Sequence, residues 1–273
     1  MCLPASGGDT PRVLGMRVDG VTRARALERI GDWIEQRRAT PEQTTRQVIT
    51  LNPEMVMAAR TDATLRQAIE RAALVVPDGI GVVWAARWLG WRVPERVTGI
   101  DLLVALAELA AARGWRIFLL GGAPGVAEAA ARQLRAACPA LLVAGTYAGT
   151  PALADDAPLA ARVRASGADL VAVAYGVPAQ ERWIARNRTQ LGAGVAIGVG
   201  GAFDLLAGRV PRAPRWLRRA GLEWAYRLWR EPWRWRRLLA LPRFAGAVLL
   251  ARWGPSARAA PRPRSAAAPA DAA

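Results

Sequence analysis

Short apolar runs rich in β-branched residues alternate with longer segments of helical charge spacing between residues 47 and 200. The apolar runs are Val48–Leu51, Leu74–Val76, Arg116–Leu120, Leu141–Thr146, Leu170–Tyr175 and Val195–Val199. The clearest helical patterns between them cover Glu54–Ala72, Gly125–Ala137 and Pro178–Gln190. This alternation predicts an α/β fold with a mostly parallel, Rossmann-like sheet flanked by helices.

The two ends of the chain differ from this central pattern. Val13–Val18 predicts an additional edge strand, followed by a helix over Thr22–Arg37. We therefore divide the chain into an α/β core (1–208), a helical appendage rich in arginine and tryptophan (209–253) and a disordered proline- and alanine-rich tail (254–273). A spanning helix needs about 20 apolar residues, and no stretch reaches that length.

The predicted sheet indicates where a ligand binds. Open α/β sheets bind ligands beyond the carboxyl ends of their strands, where helix N-termini and turn amides converge. Polar residues and glycines cluster at these positions in the sequence: Thr50 and Asn52, Asp78 and Gly79, Gly121 and Gly122, Gly176 to Gln180, and Gly198 to Asp204. We expect them to share one rim of the sheet.

Composition excludes several kinds of chemistry at this rim. The chain has no histidine, two cysteines and no Asp-x-Asp sequence, and all 38 of its basic residues are arginine. Histidine-based triads and histidine-ligated metals are therefore excluded, and a general base must be a carboxylate, a tyrosine or a cysteine. We predict a site with no metal and no cofactor, in which arginine would neutralise a departing phosphate.

Individual motifs at the rim allow more than one interpretation. Asp78 suits a ligand-facing carboxylate, and it also suits an ordinary Asp-Gly turn. Asn52 before Pro53 is typical of a helix start. The Gly121–Gly125 turn lacks the full dinucleotide-binding spacing, so a tight turn is favoured over a nicotinamide site. The glycines of Gly198–Asp204 fit either a bound sugar or close strand packing.

Positive charge is concentrated near the carboxyl end of the sequence. Residues 201–273 contain 15 arginines and 4 acidic residues, together with six of the twelve tryptophans. Arg227, Arg234 and Arg237 would lie within an arc of roughly 80° on a continuous helix. The segment fits a phosphate-binding helix, an interfacial membrane helix or a solvated basic face packed on the core.

Nine short motifs in a fixed order resemble the WecG/TagA/CpsF family of bacterial glycosyltransferases. They are Thr50–Glu54, Pro77–Val82, Arg96–Asp101, Phe118–Gly122, Gly176–Glu181, Gly198–Asp204, Arg212–Pro214, Gly221–Trp224 and Arg227–Arg234. The resemblance covers about residues 13–250. The chain departs from it in having no lysine in the appendage and in its proline- and alanine-rich tail.

The resemblance implies an inverting, metal-independent transfer of a hexose or N-acetylhexosamine-type sugar. The donor would be a UDP-sugar and the acceptor an undecaprenyl-diphosphate-linked sugar. In this family the aspartate corresponding to Asp78 is the proposed general base. The residues expected to bind substrate are Thr50, Asn52, Gly79, Arg96, Asp101, Gly121, Gly122, Gln180, Glu181, Gly201, Phe203, Asp204, Arg227, Arg234 and Arg237.

The resemblance also implies a peripheral location on the inner face of the cell membrane, reached through the appendage. Relatives use N-acetylmannosamine, N-acetylmannosaminuronic acid or glucose, and the sequence does not decide among these donors or their pathways. A basic membrane-surface or nucleotide-binding module without transferase activity is the alternative. We expect no nucleic-acid partner. A homo-oligomer is compatible with the sequence, which does not decide the oligomeric state.

Overall fold

The computed structural model of the chain describes residues 10–232, 235 and 239–253. Its strands are β1 (Arg12–Val13), β2 (Met16–Arg17), β3 (Arg46–Leu51), β4 (Leu74–Pro77), β5 (Arg116–Gly121), β6 (Leu142–Tyr147), β7 (Leu170–Ala174) and β8 (Val195–Gly198). Strands β3 to β8 form one parallel sheet in the order β4-β3-β8-β7-β5-β6. The predicted fold class is confirmed.

The prediction of an edge strand over Val13–Val18 is wrong. Strands β1 and β2 pair with each other as a separate antiparallel hairpin. Leu14 and Gly15 turn the chain with φ angles of 50° and 85°, which interrupts the strand. Asp19 reaches the sheet edge, where its N–H donates to the Val75 carbonyl and its carboxylate accepts from the Val75 N–H, both at 2.8 Å.

Helices cover both faces of the sheet. They are α1 (Arg23–Ala39), α2 (Pro53–Ala59), α3 (Ala63–Arg71), α4 (Ile80–Trp88), α5 (Gly99–Arg113), α6 (Val126–Ala137), α7 (Asp156–Ala165), α8 (Ala179–Asn187), α9 (Ala202–Leu206), α10 (Arg215–Arg219), α11 (Glu223–Arg230) and α12 (Ala240–Trp253). The segment Glu54–Ala72 forms two helices because Asp62 caps α3, accepting a hydrogen bond from the Leu65 N–H at 3.1 Å.

Successive side chains of the strands enter different hydrophobic clusters. Val48 belongs to the cluster beneath α1, α5 and α6, whereas Ile49 packs among residues of α2, α3 and α4. Ala172 and Val171 alternate in the same way, since Val171 packs beneath α7 and α8. This period of two is typical of a sheet buried on both faces, and it leaves the strand ends as the place for polar groups.

The described part of the appendage contacts the core mainly through α12, which packs against α2 and α4. Phe244 and Val248 are buried in the same cluster as Met55 and Val82. The division at residue 208 stays a prediction, and the expected tail (254–273) lies outside the described residues. No helix in the described ranges is long and apolar enough to cross a membrane.

Candidate active site

A cleft of about 440 Å³ lies beyond the carboxyl ends of β3, β4, β7 and β8. It is bounded on one side by the loops that follow these strands and on the other by α11 and α12. Several residues expected from the sequence line it together: Thr50, Asn52, Asp78, Gly79, Arg96, Gln180, Gly201 and Arg227. The fold thus brings distant motifs into one cavity, as the rule for open α/β sheets predicts.

Asp78 follows β4 and lies beside the N-terminus of α5. Burial raises the pKa of its carboxyl to about 6, because water no longer solvates the charge. The Gly99 N–H and the charge of Arg96 oppose this effect, whereas the charges of Glu223 and Asp101 add to it. A carboxylate with this pKa is mostly ionised at neutral pH and can still accept a proton, which suits a general base.

A chain of charged groups links the Asp78 region to the appendage. Arg96 donates to the Arg218 carbonyl at 3.1 Å and lies 4.0 Å from the Glu223 carboxylate. Arg212 bridges Glu223 and Asp101, at 3.7 Å and 2.5 Å respectively. These ion pairs hold α11 against the N-terminus of α5 and close one side of the cleft.

Asp101, one of the expected substrate contacts, does not line the cleft. Burial opposes its ionisation, but hydrogen bonds from Thr98 and Arg212 outweigh that effect and hold the pKa of Asp101 below its usual value. Thr98 caps α5 by accepting from the Asp101 N–H at 3.2 Å, and Asp101 accepts in turn from the Thr98 hydroxyl at 2.6 Å. Asp101 therefore stabilises the start of α5 and its docking to Arg212.

Thr50 and Asn52 line the cleft while making local structural contacts. The Thr50 hydroxyl donates to the Gly198 carbonyl at 2.9 Å, which joins the ends of β3 and β8. Asn52 caps α2 by accepting from the Met55 N–H at 2.8 Å, and Pro53 occupies the first position of the helix. Gly79 must lack a side chain, since a β-carbon there would lie 2.5 Å from the Pro53 ring.

The loop after β8 lines the cleft two strands away from the end of β4 that carries Asp78. A β-carbon at Gly201 would lie 2.9 Å from the Arg227 guanidinium, so this arginine packs directly on the loop backbone. Arg227 also lies 3.7 Å from Glu231. Phe203 is only 1% exposed and belongs to the core, and Asp204 does not line the cleft; its carbonyl accepts from the Arg209 N–H at 3.0 Å.

Other expected residues lie elsewhere. Gly121 ends β5 and Gly122 follows it, and neither is among the residues that line the cleft. Gly121, with φ of 105°, packs against the Ala174 backbone, where a β-carbon would come within 2.8 Å. Glu181 is fully buried beneath the cleft. Arg234 and Arg237 lie outside the described residues.

The structure adds cleft residues that the site prediction omitted. Trp84, Glu223, Trp224 and Phe244 line the cavity, the first and third with exposed indoles. Glu223 and Trp224 fall within the Gly221–Trp224 motif, so a sequence signal for them existed. No sequence signal pointed to Phe244, because its contact with the core depends on the packing of α12 against α2 and α4.

Within the parts of the chain that the structure describes, no three Cys, Asp or Glu side chains converge where they could hold a metal ion. The polar groups that line the cleft include the carboxylates of Asp78 and Glu223 and the guanidinium groups of Arg96 and Arg227.

The fold and the cleft place this chain among the α/β proteins that bind substrates beyond the carboxyl ends of parallel strands. A model of the glycosyl transferase WecG/TagA/CpsF family matches residues 11–258. The chain belongs to this family of glycosyltransferases, which confirms the resemblance.

Two relatives, from Bacillus subtilis (strain 168) and Bacillus spizizenii, are each 36% identical to the chain over 202 residues. The matched region is 74% of this chain and 78% of each relative. Both relatives are named N-acetylglucosaminyldiphosphoundecaprenol N-acetyl-beta-D-mannosaminyltransferase.

Proposed function

We propose that the protein transfers a sugar from a UDP donor to a polyprenyl-diphosphate-linked sugar, with inversion and without a metal ion. The observation that carries this proposal is the position of Asp78, an ionisable carboxyl in the cleft of a glycosyltransferase-family chain. Names of the relatives support a lipid-linked N-acetylglucosamine acceptor and an N-acetylmannosaminyl donor group.

The proposed step is a single displacement. The acceptor hydroxyl oxygen attacks the anomeric carbon while Asp78 takes its proton, and the bond from that carbon to the UDP oxygen breaks. The bonding electrons leave with UDP, so negative charge develops on the diphosphate. Attack from the face opposite the leaving group inverts the anomeric centre.

Arginine supplies the positive charge that this departure requires. Arg227 packs on the loop after β8 and lines the same cleft as Asp78, and guanidinium groups bind phosphate oxygens in a bidentate geometry. We assign the diphosphate to the part of the cleft beside Arg227. Contributions from Arg234 and Arg237 stay predictions.

Exposed tryptophans beside the cleft support a location at a membrane surface. Trp84 and Trp88 of α4 stack at 5.8 Å, and the Arg252 guanidinium of α12 lies 5.3 Å from the Trp88 ring. Indole and arginine together favour the headgroup region of an anionic bilayer. A cleft that opens there would reach a lipid-linked acceptor at the cytoplasmic face of the membrane.

The direct test is UDP release from a panel of UDP-sugars, with and without a polyprenyl-diphosphate N-acetylglucosamine acceptor, in buffer with EDTA. We expect UDP-N-acetylmannosamine to be consumed in an acceptor-dependent reaction that EDTA does not inhibit, with a β-linked product. Loss of turnover in EDTA would contradict the metal-independent step. Binding of UDP without release from any donor would favour the nucleotide-binding alternative.

A further inference from the structure

A chain of three buried polar side chains lies beneath the cleft. Gln47, Gln180 and Glu181 are 2%, 1% and 0% exposed. The two carboxylate oxygens of Glu181 each accept one side-chain amide hydrogen bond, from Gln180 at 3.0 Å and from Gln47 at 3.1 Å. Among the described residues, no arginine forms an ion pair with Glu181.

The orientation of the Gln180 amide follows from its partners. Its oxygen accepts from the Gly176 N–H at 3.1 Å and from the Gly200 N–H at 2.9 Å, which belong to the loops after β7 and β8. Backbone N–H groups can only donate, so the Gln180 oxygen must face them and its NH₂ group must face Glu181. One amide oxygen thereby ties together two loops that line the cleft.

The local packing admits these side chains only because residue 198 is glycine. A β-carbon there would lie 2.6 Å from the Gln180 amide nitrogen and closer still to the Glu181 carboxylate. Gly198 also accepts the hydrogen bond of Thr50 through its carbonyl at 2.9 Å. The end of β8 is therefore fitted to the Gln180–Glu181 pair.

We propose that Glu181 is a positioning residue, which orients the Gln180 amide and thereby fixes the cleft wall formed by the loops after β7 and β8. Its kinetic consequence rests on the proposed transferase function. Glu181 acts through Gln180 and through the two glycine N–H groups, and neither Gln180 nor Glu181 needs to contact the substrate.

Burial of Glu181 is unfavourable by itself, which argues that its contacts matter. Burial raises the pKa of the Glu181 carboxyl to about 7, and the hydrogen bonds from Gln180 and Gln47 oppose this shift. A carboxylate without a cation deep in a protein stabilises a fold poorly, but it enforces the orientation of its donors.

Exchange of the two side chains provides the test. In Glu181→Gln the new NH₂ group faces the NH₂ group of either Gln180 or Gln47, so two donors meet. In Gln180→Glu two carboxyl groups face each other at about the present 3.0 Å, so two acceptors meet. The double variant Gln180→Glu/Glu181→Gln restores every pairing: the carboxylate at 180 accepts from both glycines and from the amide at 181, whose oxygen accepts from Gln47. Gln190→Glu, at an exposed position, is the control.

The structural readout does not depend on activity. Tyr175–Gly176 is the single Tyr-Gly pair in the sequence and Val199–Gly200 the single Val-Gly pair. Labelling with ¹³C-carbonyl tyrosine or valine together with ¹⁵N-glycine therefore isolates each amide by NMR. We expect Glu181→Gln to shift these signals upfield and to speed their hydrogen exchange about tenfold or more, because the Gln180 oxygen turns away from the glycines. Gln180→Glu should displace both signals from their wild-type positions. The double variant should return them toward their wild-type positions.

Kinetic measurements on the same full-length proteins complete the test. We expect kcat/KM to fall about tenfold or more in each single variant, with unchanged wild-type values in Gln190→Glu, and most of the loss to be recovered in the exchange. Wild-type signals and kcat/KM in Glu181→Gln would overturn the proposal. So would a double variant as impaired as the single variants, since Gln180 would then contact the substrate directly.

Two further outcomes are also decisive. If the single variants do not fold, a folded double variant with wild-type glycine signals supports the proposal, and an unfolded one overturns it. If the wild type shows no transferase activity, the proposed function fails, whereas the glycine signals still report whether Glu181 positions the loops.

Discussion

The rim of the sheet and the helical appendage form opposite walls of the same cleft by different physical means. At the rim, Thr50, Gln180 and Glu181 are almost completely buried and hydrogen-bonded to one another or to loop backbone. In the appendage, Trp216 and Trp229 are 68% and 73% exposed, and the contacts with the core include charged pairs.

Under the proposed function, this difference separates two tasks. Proton transfer needs atoms placed within tenths of an ångström, which a hydrogen-bonded sheet end provides. Neutralising a diphosphate and contacting a membrane depend on charge and apolar area, which tolerate looser placement. We therefore expect substitutions at the rim to reduce kcat, and those in the appendage to act on binding and docking.

The largest effect is expected at Asp78. Asp78→Asn preserves size and an oxygen acceptor for the Gly99 N–H but removes the base, so kcat should fall by about 10² to 10⁴. Stopped assays of UDP release measure this, with Asp32→Asn on the exposed face of α1 as the control. Near-normal turnover in Asp78→Asn would assign the base elsewhere and remove the distinction between the two walls.

The next effect concerns the docking of α12. Phe244 is 3% exposed, whereas Leu250 on the same helix is 76% exposed. Phe244→Ala should weaken the docking by about 3 kcal/mol, or roughly a hundredfold, because it removes a large apolar contact with α2 and α4. Hydrogen exchange of α12 compared with β3 and β8 would show it, with Leu250→Ala as the control. Equal loss of protection in the sheet would mean that the two regions unfold as one unit.

Arg227 tests the charge of the appendage wall. Arg227→Ala should lower kcat/KM by roughly 10-fold to 100-fold, since a hydrogen bond to a charged group contributes about 1.5 to 3 kcal/mol. Arg230→Ala, at an exposed position in the same helix, should change little. Calorimetric titration with UDP separates ground-state binding from turnover. Unaltered kcat/KM in Arg227→Ala would place the diphosphate away from this wall.

The pH dependence of kcat/KM tests Asp78, at the rim of the sheet. Asp78 must be ionised to accept a proton, and the pKa of its carboxyl is raised to about 6 by burial. We expect kcat/KM to be halved at about pH 6 and to fall about tenfold for each pH unit below that. A profile that stays flat down to about pH 4.5 would be inconsistent with Asp78 as the base of the free enzyme.

The smallest expected effect is on membrane contact. Trp84→Ser and Trp88→Ser should each weaken sedimentation with anionic vesicles about fivefold, because each removes roughly 1 kcal/mol of apolar contact. The control is Leu153→Ser, because Leu153 is exposed and lies outside the cleft. Trp115 does not serve as a control, since its indole is buried. Unchanged sedimentation would assign membrane contact to the appendage alone.

Much of the sheet could be predicted from sequence because its strands are local apolar runs. The runs at Val48–Leu51 and Val195–Val199 correspond closely to β3 and β8. The hairpin at Leu14–Gly15 could not be predicted, since the apolar pattern gives no sign that leucine adopts a positive φ there. The division of Glu54–Ala72 into two helices near Asp62 could have been predicted, because aspartate is a strong helix N-cap.

The site was only partly predictable for a related reason. Asp78, Thr50 and Gln180 follow or flank strands, so the sheet rule brings them together. The positions of Glu181 and Phe244 depend on contacts between segments far apart in sequence. Glu181 packs against Gly198, and Phe244 packs against α2 and α4. Side-chain direction at such contacts is a property of the assembled tertiary structure.

The two walls of the cleft also differ in how independently each can be exchanged. The groups around Asp78 and Gln180 are tied to the sheet, so a change there disturbs several partners at once. The opposite wall, with Trp224 and Phe244, belongs to a continuous carboxyl-terminal segment that follows the last strand. Under the proposed function, exchange of that segment alone would change the acceptor-facing wall while Asp78 and its partners stay in place, so acceptor range and proton transfer depend on separate parts of the chain.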